Sequence, residues 1–413
     1  MATLQHARDR LSAVKDEVAR LKESEFPYNH PCEALELLER LFSDQQAVLA
    51  KVSSTAPANV VNNACSTSLY QLFVYVPILG FILRATNVRN AFECYGPLLR
   101  LARKALKSDA KLIISSEWDY SPLVYRALTD LPGFVLIGLP APESSNPLLI
   151  PLAGHELGHS VWEAEGLESR FEAPVETGVL NQLTTKRWKE YNLLYTQYKP
   201  ADLTAGDMFI RSTWLSAFTW ASLQAEEMFC DFFGLRLFAE AYFHAFAYLL
   251  APGTSGQRSL NYPNITRRMT HLVDAAKSMG VAVPAGFDTA FEAETEPVEP
   301  STKLLVSIAD DVVVSLVPQL IQAAQDIADA KNVPKRDAAR VSHVCAEFER
   351  VIPTADAQSL TDILNAGWES ELRPHLWKNV PQIKPDDKER VLRDLMLKSM
   401  EVSEISARLG KTP

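Results

Sequence analysis

Cysteine is scarce in this chain: five residues in 413, at Cys32, Cys65, Cys94, Cys230 and Cys345, an odd number with no CxxC pair. That pattern excludes a disulfide framework and a thiolate zinc site, and it points to a reducing, cytoplasmic setting. Basic charge is short as well. With 41 Lys and Arg against 51 Asp and Glu, the formal charge is −10. A general nucleic-acid binder needs a basic footprint, so nucleic acid is not an expected partner. Long apolar runs are missing too. The longest, Leu69 to Leu83, is 15 residues, contains Gln71 and is interrupted by Pro77 and Gly80. A membrane span wants about 20 residues, so this run reads as a buried core helix. Leu304 to Ala323 carries Asp310 and Asp311 side by side and reads as an amphipathic helix. The first thirty residues alternate charged and apolar positions, unlike a secretory leader. Internal repeats are absent. A soluble protein without a membrane partner is expected.

With 47% hydrophobic residues, the chain has enough apolar material for a two- or three-domain protein. The pattern predicts an α+β fold, predominantly helical, with a small sheet. Residues 1–110 read as an N-terminal helical segment, with apolar positions three and four apart at Leu4, Leu11, Val14, Val18 and Leu21. Residues 111–280 form the expected core. Lys111–Ser116 and Phe134–Leu139 read as strands, and a helix opening at Asn146-Pro147 should stop near Gly166. A further helix runs from about Thr213 to Leu250. Residues 281–303, rich in Glu and Pro, read as a linker or exposed loop, and 304–413 as a C-terminal helical segment.

The chemistry sits in His155-Glu156-Leu157-Gly158-His159, an HExxH motif. Histidines four apart on one helix face the same way and can hold one Zn²⁺. Glu156 can take a proton from a water activated by the metal and later pass it to a leaving amine. Gly158 costs up to about 1 kcal/mol against alanine in a helix interior, which implies close approach of another element or ligand. The plain alternative is two histidines on a polar helix face.

Catalytic zinc normally takes three protein ligands, and no third histidine follows at the HExxHxxGxxH spacing. The candidate lies downstream, in Glu226-Glu227-Met228-Phe229-Cys230-Asp231. Glu227 and Asp231 are four apart, so Glu227 would bind metal while Asp231 accepts the other N–H of a ligand histidine. The bland alternative places Glu226 and Glu227 on a solvated face and pairs Asp231 with Arg236.

Together these residues resemble the gluzincins, zinc metallopeptidases with HExxH followed by an ExxxD helix. The long gap is more similar to the CAAX-prenyl protease and HtpX-like peptidases than to the thermolysin type. The resemblance covers roughly residues 110–275 and implies a zincin-like core, a Zn²⁺ cofactor and a peptide or protein substrate. Members of that type often carry HPxxxxR, whose residues contribute substrate or transition-state contacts. Here Tyr262-Pro263 through Arg268 has similar spacing, with tyrosine in place of histidine. Tyr262 then has two readings, an oxyanion donor or a turn residue before proline. Arg268 likewise reads as a catalytic contact or a structural ion-pair partner.

His244 reads as a core histidine, and His271, near Arg268, as an outside candidate for the site. His6, His30, His343 and His375 lack ligand spacing. Strand Phe134–Leu139, just before the metal helix, sits where zincins place the edge strand that pairs with substrate. The expected activity is zinc-dependent peptide hydrolysis. The rival is a helical interaction or regulatory protein around a metal-stapled, catalytically silent core, with a protein partner bound through the flanking helices.

Overall fold

A computed structural model describes residues 2–53, 55–88, 91–118, 123–125, 130–251, 256–354, 358–378 and 380–410. It is predominantly helical, with one three-stranded sheet, and it divides into two compact units. The first comprises residues 1–103 and 107–145, the second 104–106 and 146–413. These boundaries differ from the four expected segments. Both expected strands fold with the N-terminal helices, and the C-terminal helices fold with the HExxH helix.

The first unit contains α1 (Ala2–Lys22), α2 (His30–Lys51), α3 (Ala58–Arg84) and most of α4 (Ala91–Ala105). Its strands are β1 (Lys111–Glu117), β2 (Leu123–Tyr125) and β3 (Phe134–Pro140). Leu11, Val18, Leu35, Phe42, Leu72, Ile78, Ile113 and Leu136 share one core, which joins the first three helices to the sheet. In the run from 69 to 83, Leu72, Tyr75, Ile78, Leu79, Phe81 and Ile82 are buried, while Tyr70, Phe73, Val76 and Leu83 are exposed. The sheet order is β1-β3-β2, with β1 parallel and β2 antiparallel to β3. Phe134–Leu139 is therefore the central strand, not the edge strand expected for substrate pairing. Its near-continuous burial fits that place, because a central strand packed on both faces has no side to turn to water.

The second unit begins with α5 (Ala153–Ala164), α6 (Leu167–Thr184), α7 (Trp188–Leu194), α8 (Met208–Arg211), α9 (Leu215–Phe238) and α10 (Glu240–Leu250). It continues with α11 (Ile265–Met279), α12 (Pro300–Ala330), α13 (Ala338–Glu349), α14 (Leu360–Glu371) and α15 (Lys388–Arg408). A 3₁₀ turn at Pro147–Leu152 leads into α5, and Glu165 and left-handed Gly166 separate α5 from α6. α9 is central, packed by α5, α6, α11 and α12. Its near-total burial over residues 224–238 explains its apolar composition on all sides. The expected helix from Thr213 to Leu250 breaks at Ala239, a non-glycine residue at φ 52°. Asn365 holds both sides of that break, donating to Phe238 O at 2.9 Å and accepting from Ala241 N at 3.1 Å. Such satisfied backbone groups help a strained residue persist.

The acidic stretch expected as a linker is bound to its surroundings. Glu296 pairs with Arg258 at 2.9 Å, Thr295 N donates to Gly256 O at 2.6 Å, and Glu294 accepts from Ile265 N at 2.7 Å, at the start of α11. Its carboxylates thus serve as local acceptors rather than as a solvated spacer. Among the described residues two stretches, Ala58–Asn87 and α12, are long and apolar enough to cross a membrane; 39% of the most apolar window is buried in the first and 67% in the second.

α5 and α9 meet almost backbone to backbone. A Cβ at Gly158 would lie 2.8 Å from Cys230 Cα, and one at Gly154 would lie 3.1 Å from Gly234 Cα. This is the close approach implied by glycine in the HExxH helix. Gly158→Ala should therefore lower stability by about 1–2 kcal/mol net, because overpacking outweighs the propensity gain of alanine. Denaturant midpoints of the two proteins measure the difference. An unchanged or higher midpoint would show that α5 and α9 can part freely.

Candidate metal centre

α5 presents His155 and His159, one turn apart, towards the buried middle of α9. Ligand atoms of His155, His159 and Glu227 all lie within 4.8 Å of one another, a group that could hold a metal ion. His155 Nε2 is 3.1 Å from Glu227 Oε2, and His159 Nε2 is 3.8 Å from Glu227 Oε1. Donors about 2.1 Å from a tetrahedral ion would be about 3.4 Å apart, between these two values. Glu227 Oε2 is buried, with His155 Nε2 as its close polar neighbour. A buried carboxylate facing two imidazole nitrogens fits a site that a cation completes.

The opposite nitrogen of each imidazole has its own acceptor. His155 Nδ1 donates to Asp231 Oδ1 at 2.9 Å, as the ExxxD spacing implied. His159 Nδ1 donates to Glu226 Oε1 at 2.8 Å, a contact that sequence reasoning missed. The available signal was stoichiometric: two histidines each need an N–H acceptor, and only one carboxylate had been assigned to that task.

Asp231 is fully buried and holds more than the histidine. Tyr242, brought back by the break at Ala239, donates its hydroxyl to Oδ1 at 2.8 Å. Arg268, from α11, donates through Nε to Oδ2 at 2.6 Å and through Nη2 to Oδ1 at 2.8 Å. Burial opposes ionisation of Asp231, but Arg268 and His155 outweigh it and hold its carboxyl well below the usual range. The guanidinium lies 4.7 Å from the Tyr262 ring centroid and 4.9 Å from that of Phe246. Arg268 thus joins the site through Asp231 and Tyr262. The phenol of half-buried Tyr262 is pushed up first by burial and then by Glu227, so it keeps its proton.

Glu156, next to His155, is buried. Burial pushes its carboxyl up, against the pull of His155 and His159. Arg236 pairs with Asp329 at 2.5 Å, so the alternative Asp231–Arg236 pairing is not formed. His244 stacks on Trp368 at 5.2 Å, and His271 lies on α11 outside the ligand group. Cys230 is the packed residue facing Gly158.

Burial disfavours the charge on His155, but Asp231 and Glu227 raise its pKa to about 10. An unfolded histidine titrates near ~6.5. The raised value therefore stabilises the metal-free fold fully below that pH, and the contribution is lost as pH rises towards 10. Chelator-treated protein should accordingly show a melting temperature that falls between pH 7 and pH 10, with a smaller fall in His155→Gln. Equal pH slopes in the two proteins would refute the coupling. The chain matches no protein-family model, no curated protein and no solved structure.

Proposed function

We propose that the protein is a zinc-dependent metallopeptidase of gluzincin type, with a zincin-like core, acting on peptide or protein amide bonds in the cytoplasm. One observation carries the reading. Two imidazoles and a carboxylate with a buried oxygen converge from crossing helices, next to a second buried carboxylate at Glu156. Two nitrogen donors and one oxygen donor suit Zn²⁺ and match the three-ligand set of catalytic zinc. When bound, zinc supplies Lewis acidity that brings the pKa of a water towards neutrality.

The remaining roles belong to the chain. Glu156, its basicity raised by burial, removes the proton from the attacking water and then delivers it to the departing amine. Tyr262, kept protonated, donates a hydrogen bond to the oxyanion that develops on the scissile carbonyl. Asp231, fixed by Arg268 and Tyr242, keeps His155 in the tautomer whose Nε2 is free to bind.

Purified protein should carry one zinc per chain by elemental analysis. Glu156→Gln should keep its fold and its zinc while losing about 10²–10⁴-fold in peptide cleavage, the usual worth of a general acid–base group. Cleavage profiling against a peptide library, wild type beside variant, reads this directly. Absence of stoichiometric metal, or equal cleavage by both proteins, would sink the proposal. Zinc without any cleavage would favour a metal-stapled scaffold.

A further inference from the structure

We propose that Glu226 is a positioning residue for His159, holding that imidazole so that Nε2 faces the metal. The inference rests on the metal reading above. Adjacent residues on a helix point about 100° apart, and Glu226 and Glu227 here meet different nitrogens. Glu227 converges with the two Nε2 atoms. Glu226 Oε1 instead lies 2.8 Å from His159 Nδ1, on the opposite side of the ring.

A neutral imidazole has one N–H and one lone pair. With the proton on Nδ1 and directed at Glu226, the lone pair sits on Nε2, the nitrogen 3.8 Å from Glu227. The carboxylate also makes that nitrogen a stronger donor. A glutamate kept only for solubility would extend into water, whereas Glu226 is 7% exposed. His155 already has its own acceptor in Asp231, so the two rings are fixed by separate carboxylates. The doublet at 226–227 divides the work: one side chain on the metal, its neighbour on the far side of the opposing ligand.

The test uses full-length protein loaded with Zn²⁺ alone, with affinity measured by chelator competition and imidazole N–H protons observed by NMR. Wild type should show two slowly exchanging downfield resonances, one for each Nδ1–H. Glu226→Ala should raise the zinc Kd about 10–100-fold, the usual cost of removing such a partner. It should also remove one resonance and leave the one bound to Asp231. Glu226→Gln keeps a carbonyl acceptor, so both resonances should persist, one displaced upfield, with a smaller change in Kd. If Glu226→Ala does not fold, the displaced resonance in Glu226→Gln decides, and two unmoved resonances overturn the proposal. A folded Glu226→Ala with wild-type affinity and both resonances overturns it as well. Wild type that takes up no stoichiometric zinc overturns the metal reading itself, a separate outcome.

Discussion

The contact of α5 with α9 at Gly154 and Gly158 sets the distance on which every later interaction relies. Gly158 faces Cys230 and Gly154 faces Gly234, so chain order along the two helices is reversed and no Cβ separates them at either glycine. At that separation imidazoles on one helix meet carboxylates on the other within hydrogen-bond distance. Each glycine forgoes up to about 1 kcal/mol of helix propensity. That cost is offset by packing around α9, where a run of buried aromatic residues from Phe229 to Phe238 fills the space beside the crossing. Overpacking typically costs about 1–3 kcal/mol, so the sign is clear: a methyl group here loses more than it gains.

Bringing these groups together raises an electrostatic problem, because Glu156, Glu226, Asp231 and most of Glu227 are out of water. A buried ion costs several kcal/mol unless charge and hydrogen bonds compensate it. Asp231 meets that demand most completely, with donors from His155, Tyr242 and both nitrogens of the Arg268 fork. Arg268 is buried in turn between the rings of Tyr262 and Phe246, whose faces favour a cation. Glu227 is compensated chiefly by His155, and it is the carboxylate aimed at both Nε2 atoms. The compensation is graded: it is strongest on Asp231, holds Glu227 below its ordinary range through His155, and is weakest on Glu156, which burial pushes up.

Legibility in the sequence follows the range of the interaction. The spacings of His155 with His159 and of Glu227 with Asp231 are one-turn helical relations, so the local pattern was enough to bring these residues forward. The glycine in the motif announced a close neighbour but could not say that Cys230 was that neighbour. Glu226 was passed over because the helical spacing favoured its neighbour Glu227, although a second imidazole N–H still lacked an acceptor. Tyr242 reaches Asp231 only because the chain breaks at Ala239, and that break has neither glycine nor proline to mark it. It is held by Asn365, more than a hundred residues on. The domain boundary was hidden for a similar reason. β1 and β3 look like ordinary short strands, and nothing local says that their apolar faces belong with Leu35, Phe42 and Ile78.

The place of the sheet bears on how a peptide could be held. An edge strand beside the metal helix would offer main-chain pairing, which binds extended peptides with little regard to sequence. Here β3 is paired on both sides. The free side of β1 is occupied as well: Tyr28 Oη accepts from Ile114 N at 2.6 Å, and His30 Nδ1 accepts from Leu112 N at 3.0 Å. Side chains thus take up backbone groups that an added strand would need, a common way of closing an exposed edge. β2 comprises Leu123–Tyr125 among the described residues. Sheet extension along β1 or β3 is therefore a poor basis for substrate affinity. Under the metallopeptidase proposal, side chains around the His155–Glu227 group would then carry more of the recognition than a β-ladder, and side-chain contacts discriminate among sequences more than main-chain pairing does.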